Sequence, residues 1–490
     1  MTRAGASAIV AAALPLAACA TPAPRTAPPS IITAQALPAH YAIIASPNAG
    51  ETAADLTLWW RRFDDPTLTR LIEVALAANQ DIVQAAARLV QAQARARAAG
   101  AARLPTLGIV LDPARTLTRP AGAIGPRTAL DGAASLGWDP DLFGGLASAH
   151  RGARAELRAA GYDLATVQRA AVAEVAASYV SYRALEVRLV EARTALSGQR
   201  ALLDVIEHRY AIGIAVAADV ERAKLQLFQI EARVPALDDA RRRAANRIAV
   251  LIDRPPGTIE SMLKAHLEAP RSAPCGTAPL PHADMLPAAG VPADLLRRRP
   301  DVRAAEQRIA VAAANAGVAR AALQPQLSLG AVIGGAAFSL PSLVDSLVST
   351  VVGRISQTLF DGGRGRAMLD EQRAAARGAI AAYRATILTA LEDVENARSA
   401  VAAGASGVRI AKEACTAAQR NAALTRGAYE IGLSDLFILL DADQQALAER
   451  DALIVAKADQ ALAQMQLYVA LGGGWAIPAP QTLDRPPRIP

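Results

Sequence analysis

Leu359-Phe360-Asp361-Gly362-Gly363-Arg364 opens a stretch that runs on to Tyr429 without a proline. Ile387, Val394, Val401, Val408, Cys415, Ala422 and Tyr429 recur along it every seven residues. Mostly small or apolar residues at that spacing mark the seam of a long helix packed on other helices. From Arg366 to Tyr429 such a helix is roughly 95 Å long, at a rise of about 1.5 Å per residue. A compact globular domain has no room for it.

The stretch has a copy earlier in the chain. Leu142-Phe143-Gly144-Gly145 leads into Val175, Tyr182, Leu189, Leu196, Leu203 and Tyr210, each 219 positions before a counterpart, so that Tyr210 matches Tyr429 and Leu196 matches Cys415. Gln80-Asp81 matches Pro300-Asp301 at an offset of 220, and Tyr162 and Glu174 match Tyr383 and Glu395 at 221. The chain is a tandem repeat.

Each half reads as helix, hairpin, long helix and long return helix. In the first half, Leu68, Leu71, Ile72 and Leu76 fall at helical spacing, and a second helix runs from near Asp81 to about Ala102. Alternation predicts strands from Leu104 to about Leu117 and from Thr128 to Trp138, with Pro113, Pro120, Gly122, Gly125 and Pro126 in a long loop between them. The long helix ends at Tyr210-Ala211-Ile212-Gly213, where Gly213 supplies the terminal turn. Its return partner spans about Ala218 to Leu251 and is expected to kink at Pro235. In the second half, strands are expected over Gln326–Ile333 and Val348–Leu359, and the return helix over about Asp435 to Leu471. The expected fold is mainly α with a small β part, with four strands per chain. Four strands with open edges cannot cross a bilayer alone, because unpaired backbone groups in lipid cost several kcal/mol each. Either they lie in water or several copies close one barrel.

Composition narrows the function. Hydrophobic residues make up 52% but aromatics only 4%, which suits alanine-rich helices in close approach rather than an aromatic core. The net charge of +7 raises nucleic acid as a partner. Nearly all the basic charge is arginine scattered among acids, with short clusters at Arg61-Arg62, Arg241-Arg242-Arg243 and Arg297-Arg298-Arg299. These read as solvated helix faces, and no nucleic acid is expected. Cys19, Cys275 and Cys415 form no C-x-x-C pair, and their spacings suggest neither a metal site nor a disulfide framework. Cys415 on the seam reads as a small buried hydrophobe. The five histidines lack metal spacing, and Ser261-Met262-Leu263-Lys264 has no companion motifs, so no catalytic residue, cofactor or metal is expected.

The amino terminus carries an address. Arg3 and an alanine-rich apolar run ending in Leu16-Ala17-Ala18-Cys19 make a secretory signal over residues 1–18. Leu-Ala-Ala-Cys resembles the bacterial lipobox, which implies that Cys19 is lipidated, and Ala20 after it permits sorting to the outer membrane. Residues 19–55 form a proline- and alanine-rich tether. The first repeat follows over 56–256, a proline-rich linker over 257–292, the second repeat over 293–472 and a proline-rich tail over 473–490.

Four segments together resemble the TolC-like outer-membrane factors of tripartite efflux pumps, and among them the NodT-type lipoproteins. They are Trp59-Trp60 through Asp65-Pro66, Leu296 through Glu306, Leu359 through Arg364, and Gly432 through Leu440-Asp441-Ala442. The resemblance implies a homotrimer whose chains each give four strands to one transmembrane β-barrel and whose long helices form a hollow periplasmic α-barrel. It implies a periplasmic adaptor and an inner-membrane RND-type transporter as partners, outer-membrane lipid around the strands, and a passive duct without enzymatic activity. The turns Tyr210-Ala211-Ile212-Gly213 and Tyr429-Glu430-Ile431-Gly432 would stand at the periplasmic gate, with Asp219, Asp435 and Asp441 near it. Asp441 matches one of the family's two constriction aspartates. The other falls on Ile438, and Ser434 replaces a basic latch residue. Gly362 and Gly363 would mark the exit from a membrane strand. A type I protein-secretion duct and a periplasmic coiled-coil adaptor are the alternatives, the second disfavoured by the tandem offset.

Overall fold

A computed structural model describes residues 56–118, 125–263, 275, 280–283, 298–337 and 345–475. Cys19, the signal segment, the tether and the tail beyond Trp475 lie outside these residues. A 3-10 turn at Trp59–Phe63 leads into α1 (Pro66–Ala78) and α2 (Gln80–Ala101). Asp65 caps α1 by accepting from the Leu68 N–H, with Pro66 at the first helical position. Asn79 caps α2 through the N–H groups of Asp81 and Ile82, and its own amide donates to the Leu251 carbonyl at 2.9 Å. That buried bond pins the start of α2 to the far end of the repeat.

Then come β1 (Thr106–Thr118), β2 (Gly125–Trp138), α3 (Gly145–Ala211) and α4 (Ala217–Leu251). The second half holds α5 (Pro300–Ala321), β3 (Gln326–Ala337), β4 (Val348–Ser356), α6 (Arg364–Glu430) and α7 (Leu436–Ala470). The long helices α3 and α6 each have 67 residues, about 100 Å of helix. They start and end at one offset, 219, from Gly145 to Arg364 and from Ala211 to Glu430. The match of Tyr162 to Tyr383 and of Glu174 to Glu395 at 221 is therefore wrong. Tyr383 takes the place of Leu164. Both pack in small clusters against the short helix of their own half, so an aromatic and a leucine serve one position.

The motif that opens each long helix is a cap. Asp361 accepts from the N–H groups of Gly363 (2.9 Å) and Gly365 (2.7 Å). Asp141 does the same for Leu146 (3.0 Å) and Ala147 (2.6 Å) at the start of α3. Gly144, Gly362 and Gly363 have positive φ of 75°, 65° and 89°, which lets the chain turn sharply from strand to helix. The return helix α4 continues through Pro235.

The four strands form one antiparallel sheet in the order β1-β2-β3-β4. Its β1–β2 register pairs Leu107 with Leu136 and Thr118 with Gly125, so the hairpin strands run through much of the segment expected to be loop. Pro113 lies inside β1, at a position that pairs with Leu130. A proline is tolerated there because β1 is an edge strand of this chain. β3 also runs on to Ala337, whereas β4 stops at Ser356, short of the expected Leu359. Alternation puts Leu107, Ile109, Leu111, Ala134, Leu136, Leu327, Leu329, Ala331, Ile333, Val351 and Ile355 on one face. The other carries Thr106, Asp112, Asp131, Ser135, Gln326, Ser328, Thr350 and Arg354 among the smaller apolar Val110, Val332, Val348 and Val352.

The helices continue this order as a wall. Near the sheet, α3 packs on α2 and α5, and α6 packs on α5; at the other end, α3 packs on α4 and α7, and α6 on α7. The main core lies between these ends, where Trp59, Val175, Tyr182, Val394, Val401 and Tyr468 meet. The seam residues Val175, Tyr182, Leu189, Leu196, Ile387, Val394, Val401, Cys415 and Ala422 are buried, while Leu203, Val408 and Tyr429 are half-buried and Tyr210 is exposed. No described helix is long and apolar enough to cross a membrane.

Two expectations about side chains fail. Cys415 is not a free thiol but is disulfide-bonded to Cys275 in the linker, 140 residues away. In the third arginine cluster Arg299 is not solvated, since it is only 4% exposed and holds two aspartates. In the cluster at 241–243 the expectation holds for Arg242 and Arg243, exposed and paired one turn back with Asp238 and Asp239, whereas the Arg241 side chain is only 13% exposed and lies over the Tyr182 ring.

Candidate functional site: the hairpin tips

The helix pairs α3/α4 and α6/α7 reverse direction through the same turn. Gly213 and Gly432 both have φ of +78°. Each donates its N–H to the tyrosine carbonyl three residues back, Gly213 to Tyr210 at 3.0 Å and Gly432 to Tyr429 at 3.1 Å. The next residue reaches five back, Ile214 to Arg209 and Leu433 to Ala428, both at 2.8 Å. This pair of bonds satisfies the last carbonyls of a helix and requires a left-handed residue. Gly432→Val is expected to cost about 1–2 kcal/mol, the penalty of a side chain in that region. Faster hydrogen exchange at the Leu433 amide checks it; unchanged protection would contradict it.

The two tips are packed together. Ile206, Val220 and Ala223 of the first hairpin bury themselves against Leu436, Leu439 and Leu440 of the second, with Tyr429 partly covered beside them. Gln226, buried on α4, donates to the Leu440 carbonyl at 3.0 Å. The Arg209 guanidinium lies 5.0 Å from the centre of the Tyr429 ring, and Arg222 lies 5.8 Å from that of Phe437. Further up, Arg188 holds Asp451 through bonds of 2.6 and 2.9 Å, and Arg450 reaches Glu191 at 3.4 Å. Sequence reasoning missed all these links, because their partners lie in different repeats and no local spacing reports them.

The three aspartates separate by role. Asp435 is the N-cap of α7, accepting from the Ile438 N–H at 2.9 Å. Asp219 lies in the first turn of α4, its carboxylate 3.9 Å from Arg222. Both suit the positive end of a helix dipole. Asp441 is different: it sits past the first turn of α7, is exposed, and among the described residues accepts a side-chain bond from Gln445 one turn on, at 2.8 Å. Ile438, in place of a second acid, is half exposed at 49%, and Ser434 is half-buried.

Ile212, Ile214, Ile431 and Leu433 crown the two turns and are each at least 70% exposed. The pairs Ile212/Ile431 and Ile214/Leu433 are again 219 residues apart, so each hairpin presents the same apolar tip. At the opposite end of the long helices, Leu142, Phe143, Leu359 and Phe360 are exposed beside the strand exits. No group of three or more His, Cys, Asp or Glu residues that would hold a metal is found among the described residues.

A profile of the outer membrane efflux protein family matches residues 71–253 and again 291–473. The chain is 31% identical over 477 residues to the pyoverdine export outer membrane protein OpmQ of Pseudomonas aeruginosa, covering 95% of this chain and 96% of that protein. It is 29% identical over 459 residues to nodulation protein T of Rhizobium leguminosarum bv. trifolii, covering 92% and 94%. Among solved structures it resembles the outer-membrane channel OprN, with a TM-score of 0.77 at 31% identity over 89% of this chain and 97% of that one.

Proposed function

The chain belongs to the outer membrane efflux protein family and is an outer-membrane channel subunit of an efflux system, and from that premise we propose that three copies close head to tail into one passive duct. The observation that carries this reading is the pair of open edges left by the internal repeat. Within the chain, the long helix of the first half packs on the short helix of the second, α3 on α5. The counterpart contact, α6 on α2, joins helices at opposite edges of the wall, as β1 and β4 are at opposite edges of the sheet. A neighbouring copy supplies it, and such a heterologous contact makes a ring when the rotation closes.

The strands have 13, 14, 12 and 9 residues, at or above the roughly 9–11 that a tilted strand needs to cross a bilayer. Their apolar face would meet lipid, their polar face the lumen, and the exposed Phe143 and Phe360 would stand at the interface, where aromatic side chains collect. Lipidation of Cys19 would add acyl chains, each methylene worth about 0.8 kcal/mol. The long helices would cross the periplasm and bring Tyr210, Tyr429 and Asp441 to its inner mouth. The apolar tips fit docking by a periplasmic adaptor, since exposed apolar patches of this kind mark interaction sites. An RND-type transporter in the inner membrane would load the duct, with small organic molecules as the cargo class, in keeping with the pyoverdine export named for one relative.

Size determination in detergent together with planar-bilayer conductance tests the reading. A trimer with steady conductance is expected. Three copies of Asp441 in a ring would bind multivalent cations. Asp441→Asn is expected to weaken block by hexaamminecobalt about tenfold, which corresponds to about 1.4 kcal/mol of binding. A monomer with no conductance in either form would overturn the duct. Unchanged block would remove Asp441 from the mouth.

A further inference from the structure

The linker between the repeats is tied down on both sides of Cys275. Before it, Ile259 and Leu263 are buried in the main core. After it, Leu280 and Ala283 are buried in the same core, and Ala283 exchanges two hydrogen bonds of 3.1 Å with the buried side chain of Gln464 on α7. Cys275 itself reaches Cys415, which is fully buried on α6.

Cys415 lies well toward the tip from that core. Val401 is the last residue of α6 within the core, and the 14 residues from it to Cys415 amount to about 21 Å of helix. The antiparallel pairing of α6 with α7 agrees: Gly404 lies against Gln460, and Arg426 holds Asp443 nearer the tip. Leu263 and Leu280 therefore lie in the core and Cys275 beside the tip half of α6. The tether is short, since the five residues from Cys275 to Leu280 extend at most about 18 Å. Along this half of α6 the main neighbour within the chain is α7, because α5 meets α6 nearer the sheet. The disulfide gives α6 a second, covalent hold at the level where Arg188 and Glu191 grip α7 through Asp451 and Arg450.

We propose that the Cys275–Cys415 bond is a strap from the core to the tip half of α6, which limits the swing of the α6/α7 hairpin and keeps the mouth narrower in the oxidised than in the reduced protein. The proposal rests on the duct reading above. Below the strap, the two hairpins meet through the small apolar cluster at Ile206 and Leu439, the Gln226 bond and the two arginine–aromatic contacts. A hairpin held by so few contacts has separable arrangements, and a short tether excludes those that would pull Leu280 and Ala283 from the core.

The full-length protein in planar bilayers tests it, before and after treatment with dithiothreitol. One reagent thiolate attacks the half-buried Cys275 sulfur, and the S–S bond breaks with the electron pair leaving on Cys415, which takes up a proton. The second reagent thiol then displaces Cys275, so two cysteine thiols form and the reagent ends as its cyclic disulfide. Mass spectrometry after alkylation reads the state of both cysteines. Reduction is expected to raise mean conductance about threefold or more, a population shift toward the wider mouth. Cys275→Ser should match reduced wild type and ignore the reagent. Reduced wild type serves as the independent arm if that variant fails to assemble. Steady conductance that is equal in oxidised and reduced protein would overturn the strap and leave the duct standing. Free thiols in the untreated protein would overturn it as well. Silent bilayers in every form would overturn the duct reading, and the strap with it.

Discussion

Replacing Arg299 with alanine is expected to destabilise the folded chain by about 3–5 kcal/mol, the usual cost of breaking a buried ion pair from one side. Arg299 donates to both oxygens of Asp301 (3.1 and 2.6 Å), to Asp393 (2.8 Å) and to the Ala470 carbonyl (3.4 Å). Arg169 adds bonds to the Val469 carbonyl (3.2 Å) and to Asp301 (3.5 Å). Two arginines and two aspartates thus join α3, α5, α6 and the last turn of α7, where the Val469 carbonyl also accepts from the Gly472 N–H. Truncation leaves Asp301 with the weaker Arg169 contact and the Val302 N–H at 3.0 Å. Asp393, with a side chain 45% exposed, turns to water and contributes less to the loss. Lysine will not rescue, because one ammonium cannot fork to two carboxylates as a guanidinium does.

The same network fixes the sign of a pH effect. Burial pushes the Asp301 carboxyl up, but the hydrogen bonds and charge of Arg299, then the charge of Arg169, outweigh it and hold the group below an ordinary aspartate. A lowered folded value contributes stability that is complete at neutral pH and is lost as pH falls through that value. Wild type is therefore expected to hold its denaturant midpoint from pH 7 down to about 4, near the pKa of an unfolded aspartate. In Arg299→Ala the largest opposing contribution is gone, only the Arg169 charge and the Val302 N–H still oppose burial, and the loss sets in at higher pH than in wild type. Midpoints measured across that range check both statements. A variant within 1 kcal/mol of wild type, the median worth of surface pairs, would place Arg299 in water instead.

What could be read beforehand depended on how local the determining signal is. The long helices were legible because Val175, Val394 and their seven-spaced partners report one seam without reference to any other element. The return helices were legible to within a residue or two, because Gly213 and Gly432 announce the turns and Leu251 and Leu471 precede glycine- or proline-rich runs. The hairpin loop was overestimated because Pro113 and Pro126 are turn signals everywhere except at a sheet edge. Arg299 reads as one of a solvated run until the fold brings Asp393, 94 residues away, into reach. The disulfide is of the same kind: nothing local to Cys275 says that it meets Cys415 on α6, 140 residues away. At the hairpin tips the sequence shows acids near a turn, but only geometry separates Asp435 as a cap from Asp441 as an exposed carboxylate.

Trp59→Ala is expected to cost a further 3–5 kcal/mol in its own right, the range for deleting a buried aromatic side chain. Trp59 is fully buried, stacked on Tyr468 with ring centres 5.7 Å apart and planes 12° from parallel, and edge-on to Trp60 and Phe63. Tyr468 lies in the last turn of α7, so this stack fastens the first described residues to the end of the second repeat. The backbone confirms how tight the junction is. A Cβ on Gly473 would come within 2.8 Å of the Leu56 and Tyr468 carbonyl oxygens and 3.1 Å of the Trp59 ring, while the Gly474 N–H donates to Leu56. No residue larger than glycine fits there without moving the chain. Trp59→Phe separates ring from hydrogen bond: the indole N–H finds no acceptor among the described residues, so phenylalanine keeps the stack and loses nothing polar. It deletes part of a buried ring system and is expected to cost about 1–3 kcal/mol, less than alanine because most of the ring contact survives. Since the proposed lipid tether enters the fold here, Trp59→Ala should also expose residues 56–63 to protease while α3 and α6 stay protected. Alanine and phenylalanine variants of equal stability would show instead that the tether meets the barrel without help from this stack.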